Sequence, residues 1–195
     1  MLVILTKNTN IAYRDMQYLQ IMKTQHHQIK PQDVLLLLKI ISLNNTSWNQ
    51  KPMAKSLGMS QSEVSESVAR SKFSGLLDSK GKMVFKMALM EFLQYGLRYV
   101  FPVQPGPIVR GIPTAHSTAP LKEHIHSTEN YVWPYGKGTL RGHSILPLYP
   151  SVPEAALKDK KLHELLALVD AQRVGRAREK EIAVDELKKR FEIGE

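Results

Sequence analysis

The sequence predicts a mainly α chain with a minor β component (α+β), and three features carry that expectation. Residues 34–43 are apolar on almost every side, and residues 48–71 read as two short helices meeting at Gly58. Residues 102–153 carry proline and glycine so often that helix cannot persist there. Helical periodicity returns after Pro153. The expected organisation is an N-terminal arm or extension over 1–29 and a three-helix core with a small β-wing over 30–100. Residues 101–195 follow as a region of dimerisation, sensing or partner contact, first irregular or β and then helical.

Residues 1–29 are polar and mixed, with an imperfect helical pattern through Ile11, Met16, Leu19 and Met22. They read as a loosely ordered tail, or as an upstream extension if translation begins at Met22. Pro31 suits the first turn of a helix running to about Leu43, with Asp33 at the positive end of its dipole. Val34, Leu35, Leu36, Leu37, Leu38, Ile40, Ile41 and Leu43 leave hardly any polar face except Lys39, so this helix should be buried nearly all round. The polar run from Asn44 to Ser47 ends it.

In the next pair of helices Met53, Ala54 and Leu57 face inward, and Gly58 supplies the positive φ of the turn. Ser60 and Glu63 form an S-x-x-E capping box at the start of the second helix, where Val64 and Val68 point inward. This is the helix-turn-helix arrangement, which lays its second helix in the major groove of DNA. Leu76-Leu77, a turn at Ser79-Lys80-Gly81 and then Met83-Val84-Phe85 predict a small strand-turn-strand wing. From Lys86 to Tyr99 the period is helical again through Met87, Met90, Leu93 and Leu97, with Ala88, Phe92 and Tyr95 widening the stripe into a core or dimer-interface helix.

Within 102–153 two short stretches echo one another, Ile108-Val109-Arg110-Gly111-Ile112 and Thr139-Leu140-Arg141-Gly142-His143, as two strands of one geometry would. Tyr131-Val132-Trp133-Pro134-Tyr135 adds three aromatics, and Gly136-Lys137-Gly138 a flexible turn. Beyond Pro153, Leu162, Leu165, Leu166, Leu168 and Val169 form an apolar stripe, Gly175 marks a break, and a last amphipathic helix runs from about Arg178 to Phe191 with Ile182, Leu187 and Phe191 inward.

Charge favours a polyanionic partner. The chain of 195 residues carries +9, and residues 1–100 hold 13 Lys/Arg against 6 Asp/Glu, so most of the excess accompanies the helix-turn-helix. No apolar run approaches the roughly 18 residues of a membrane span, and Leu2-Val3-Ile4-Leu5 is too short for a signal-peptide core. Without cysteine there is no disulfide, thiolate zinc site or thiol redox sensor. A cytoplasmic protein without membrane contact is expected.

On the reading helix Gln61 can pair with adenine, Ser62 and Ser65 with either base type, and Glu66 can accept from cytosine or point away from phosphate. Gln50, Lys51, Lys55, Ser60, Arg70 and Lys72 flank the helices as candidate phosphate contacts, joined by Lys80 and Lys82 at the tip of the wing. Arg110, Trp133 and Arg141 are candidates for an anionic effector or a partner's acidic surface, although these arginines can equally bond loop carbonyls. His116, His124, His126 and His143 gather in the same region. A strand would put His124 and His126 on one face, with Glu123 or His116 as third ligand, but nothing in the spacing demands a metal. Phosphate-loop and G-x-S-x-G motifs are absent. No catalytic residue, cofactor or metal is therefore expected; an enzyme centred on His116, Arg110 and Arg141 would need a pocket joining them.

The stretch Ala54-Lys-Ser-Leu-Gly-Met-Ser-Gln-Ser-Glu-Val-Ser65 resembles bacterial winged helix-turn-helix transcriptional regulators of the MarR type, over about residues 31–85. The resemblance implies a dimeric, repressor-like protein in which Gln61, Ser62 and Ser65 touch operator bases and Lys80 and Lys82 touch backbone. Two departures accompany it: the wing is short, and a Pro/Gly-rich region replaces purely helical dimerisation arms. The second half looks like an uncharacterised group of bacterial regulator-like proteins. The expectation is a transcriptional regulator binding double-stranded operator DNA as a homodimer. The alternative is an antitoxin-like or other protein-interaction module docking through the C-terminal region.

Overall fold

Proline opens the first helix and a carboxylate fixes its start. The structure, a computed structural model, describes residues 28–44 and 47–194, so nearly all of the arm expected over 1–29 lies outside the described residues. In α1 (Pro31–Ser42) the Asp33 carboxylate accepts the Lys30 N–H at 2.7 Å, and Val34 to Leu38 are wholly buried. Lys39, its polar interruption, pairs at 2.7 Å with Asp159 from the far half of the chain. Next come α2 (Gln50–Leu57) and α3 (Gln61–Phe73), joined through Gly58 at φ +63°. The capping box forms as the sequence predicts: Ser60 Oγ accepts the Glu63 N–H at 3.1 Å and Glu63 Oε2 accepts the Ser60 N–H at 2.8 Å.

Where a strand-turn-strand was expected, Leu77 and Val84 form a single antiparallel bridge, extended by Phe85 N–H donating to Leu76 C=O. Its turn is organised by Asp78, whose carboxylate accepts the N–H groups of Lys80, Lys82 and Met83 and is held below the usual carboxylate range chiefly by the Met83 and Lys82 amides. The helix that follows contains a π turn: α4 (Lys86–Glu91), Phe92–Gly96 in π geometry, then α5 (Leu97–Val100). Leu89, Met90, Leu93 and Leu97 face the core. Met87, Tyr95 and Tyr99 do not.

The two Arg-Gly echoes are indeed paired strands. β1 (Ile108–Pro113) lies antiparallel to both β2 (Tyr131–Pro134) and β3 (Leu140–Ser144), and β2 pairs parallel with β3, so the three strands close on themselves. So small a closed sheet has no room for inward side chains. A Cβ on Gly111 would fall 2.0 Å from the Trp133 carbonyl oxygen, and one on Gly142 would fall 2.4 Å from that of Asn130. His124 and His126 follow a 3-10 turn (Leu121–Glu123) and lie on no strand, contrary to that expectation.

The C-terminal stripe divides into α6 (Val152–Lys158), α7 (Lys160–Val174) and α8 (Ala177–Phe191). The unforeseen break at Asp159 is a cap, since its carboxylate accepts the Leu162 N–H at 3.1 Å. α7 packs against α1, α6 and α8, and one apolar core runs from α1 to α8 across the boundary placed at residue 100. Within it the buried Asp170 accepts from Thr114 Oγ1, Trp133 Nε1 and Arg173, knitting sheet to helix. Among the described residues no helix is long and apolar enough to cross a membrane.

Candidate nucleic-acid interface

α3 presents two chemically different sides. Val64, Ser67, Arg70 and Ser71 are buried, whereas Gln61, Ser62, Ser65 and Glu66 are exposed. The side chains named as base readers thus share a solvent-facing surface, free of the protein's own interior. Ser62 Oγ lies 3.0 Å from Ser60 Oγ, and the Glu66 carboxylate leans back to Arg70 at 3.4 Å. Gln61 and Ser65 are the less encumbered pair.

The start of α3 is anchored from the other half of the chain. Tyr149 donates its hydroxyl to Glu63 Oε1, and Ser151 Oγ donates to the Leu57 carbonyl at the end of α2. Glu63 is held below the usual carboxylate range, first by the Tyr149 hydroxyl and then by Ser60; the same bond raises Tyr149. Ser151 also limits Gly58, where a Cβ would lie 3.0 Å from Ser151 Cβ. Neither residue was foreseen. Their partners lie 86 and 94 positions away, and no local pattern encodes such a contact.

Of the expected phosphate contacts, Lys51, Lys55, Lys72 and Lys80 are exposed beside the two helices and the wing turn, and Gln50 is half-buried in the first turn of α2. Ser60 is exposed, with its hydroxyl engaged in the cap. One expectation needs correction. Arg70 is 3 % exposed and forms a two-pronged pair with Asp33 at 2.7 and 2.8 Å, plus a bond to Ser67, so its guanidinium serves the core and not phosphate. That pairing, led by the Asp33 hydrogen bonds, raises Arg70 further above its already high range. Lys82 is exposed, and its Nζ donates to the Trp48 carbonyl at 2.6 Å and sits over the indole ring, while Trp48 Nε1 donates back to the Lys82 carbonyl. It clips the wing turn to the loop before α2.

In the second half, Arg110 and Arg141 are exposed, whereas Trp133 is buried with its indole N–H on Asp170 and cannot line a surface pocket with them. His116 is buried on the far side of β2, its Nε2 2.9 Å from the Glu129 carbonyl oxygen, and shares a cavity with His124, His126, Arg176 and Arg178 but with neither Arg110 nor Arg141. The pocket that an enzyme on His116, Arg110 and Arg141 would require is not formed by those residues. Among the described residues no group of three or more His, Asp or Glu is placed to hold a metal ion. No protein-family model matches the chain, and neither a curated protein nor a solved structure matches it.

Proposed function

We propose that the protein is a cytoplasmic, sequence-specific DNA-binding regulator that acts as a homodimer, with α1 to α3 and the Leu77–Val84 bridge serving as a winged helix-turn-helix. One observation carries this reading. α3 is capped and anchored at its start, buried along one side, and offers Gln61, Ser62 and Ser65 to solvent between exposed Lys51, Lys55 and Lys72. A rigid helix with hydrogen-bonding side chains outward and cations on its flanks is what major-groove readout requires. The lysines neutralise phosphate and supply affinity; Gln61 and Ser65 supply the preference.

Dimerisation is supported by exposed Met87, Tyr95 and Tyr99 along the helix after the wing, and by the few base pairs that one short helix can read. Binding selection on random duplexes at several salt concentrations tests the whole reading. A palindromic consensus whose half-sites lie about one or two helical turns apart is expected. Gln61→Ala should blur that consensus, and Lys55→Ala should weaken all sequences alike while lowering the salt slope by about one. Absence of duplex binding at low salt, or a consensus indifferent to Gln61, would remove it.

A further inference from the structure

The register of the closed sheet places two arginines directly opposite each other. Arg110 on β1 is the antiparallel partner of Arg141 on β3, so their side chains leave the same face of the ladder. Their glycine neighbours, Gly111 and Gly142, fill the crowded inside of the sheet, which fixes both arginines on the outside. Lys137 is exposed in the turn between β2 and β3, and Tyr135, which opens that turn, donates its N–H to the Arg110 carbonyl oxygen. Three cations are thereby gathered at one end of the sheet.

None of the described acidic side chains pairs with them. Among the described residues no side-chain hydrogen bond or ion pair involves Arg110, Lys137 or Arg141. The surrounding sequence is also free of acid: no Asp or Glu occurs from residue 92 to 122 or from 130 to 153, the two segments that build the sheet. Like charges directly opposite in an antiparallel pair destabilise it. The fold thus sets two guanidiniums side by side at a cost and leaves their carboxylate-matching forks open. We infer that Arg110, Arg141 and Lys137 form a phosphate-contact surface for the nucleic-acid backbone, separate from the helix-turn-helix.

Guanidinium forks match phosphate oxygens bidentately, and a row of cations without base-reading side chains supplies affinity without sequence preference. Its distance from α3 suits a single duplex. Tyr149, bonded to Glu63 at the start of α3, follows Arg141 by eight residues, a chain length of at most about 28 Å. One turn of B-DNA covers about 34 Å. The arginine pair therefore lies within about one duplex turn of the Tyr149 anchor at the start of α3. This surface goes beyond the helix-turn-helix reading and stands on different residues.

The test is the salt dependence of binding to a random-sequence duplex about three helical turns long, measured by fluorescence anisotropy on the full chain. Arg110→Ala/Arg141→Ala should weaken binding to every sequence and lower the log–log salt slope by about two, with Lys137→Ala lowering it by about one. Gln61→Ala/Ser65→Ala should leave that slope unchanged. If the double arginine variant keeps the wild-type slope while Gln61→Ala alters sequence preference, the inference fails and the helix-turn-helix reading survives. The reverse pattern, a slope set by the arginines with no effect of Gln61, Lys51 or Lys55, keeps the inference and removes that reading. A wild-type chain that binds no duplex at low salt overturns both. Circular dichroism of the arginine variants, at exposed outward positions of the sheet, should match wild type and exclude misfolding as the cause.

Discussion

Asp33 and Arg70 carry the clearest single-residue lesson. Each is an ordinary surface residue by type, yet the pair is buried, bidentate and 37 positions apart, tying α1 to α3. Burying two charges is costly, and their mutual attraction offsets that cost only while both are present. Asp33→Ala leaves a buried guanidinium with only the exposed Glu66 as counter-ion and should destabilise by about 3–5 kcal/mol in urea unfolding. Glu66→Ala removes the other carboxylate near Arg70, but that one is exposed and 3.4 Å away, so its loss should cost below about 0.5 kcal/mol. The paired change Asp33→Leu/Arg70→Met should recover most of the single-variant loss, because no charge is then stranded. Equal effects of Asp33→Ala and Glu66→Ala would contradict this account of α3's anchorage. The same residues show why sequence alone does not place Arg70. The i,i+4 spacing of Glu66 and Arg70 is visible in the chain, but the choice of Asp33 as the dominant partner is made only when α1 crosses α3.

Elements whose causes are local were legible; those whose causes are distant were not. Pro31, the Ser60–Glu63 box, Gly58 and the exclusively apolar face of α1 each act within a few residues, and each does in the structure what its spacing predicts. The echo of Arg-Gly in residues 108–112 and 139–143 was legible as two strands of common geometry. Their closure with β2 was not, because three mutually paired strands are specified by what cannot fit between them. Gly142→Ala tests that specification: its Cβ would press on backbone, which cannot rotate away, and overpacking of this kind should lower stability by about 2 kcal/mol or more. Gly136→Ala, in the open turn of the same sheet with nothing within 4 Å, should be neutral or slightly stabilising. Thermal unfolding of the two variants side by side gives the comparison, and matching melting temperatures would mean that the sheet is looser than its register implies. Asp159 belongs with the elements missed. A strong apolar stripe conceals a helix break whose cap is confirmed only by Lys39 and Ser42 arriving from α1.

At the scale of the whole molecule, one core joins both halves, so α3 is oriented by the C-terminal region through Tyr149 and Ser151 and not by α1 and α2 alone. Among the described residues an apolar group stays exposed: Met83 and Phe85 beside the Leu77–Val84 bridge, then Met87, Tyr95, Tyr99 and Val100 along the helix that contains the π turn. At their fractional exposures these six side chains show on the order of 700 Å² to solvent, close to the roughly 800 Å² per partner of a standard protein interface. A scattered exposed leucine needs no explanation, whereas apolar exposure of this extent is a candidate contact surface. A second copy of the chain is the occupant that the proposed two-half-site readout calls for. Placing a carboxylate at each tyrosine, Tyr95→Glu/Tyr99→Glu, would bury like charges in the proposed symmetric interface and should convert the proposed dimer to a monomer in light scattering while circular dichroism stays unchanged. Operator affinity should then fall by about two orders of magnitude or more, as the second recognition helix is no longer delivered at high effective concentration. Affinity for an isolated half-site should stay near wild type, since this group shares none of the side chains proposed to touch DNA. A wild-type chain that is monomeric both free and on a full palindrome would refute the assignment of this group. A variant that stays dimeric would place the interface elsewhere, with the group then left for another protein.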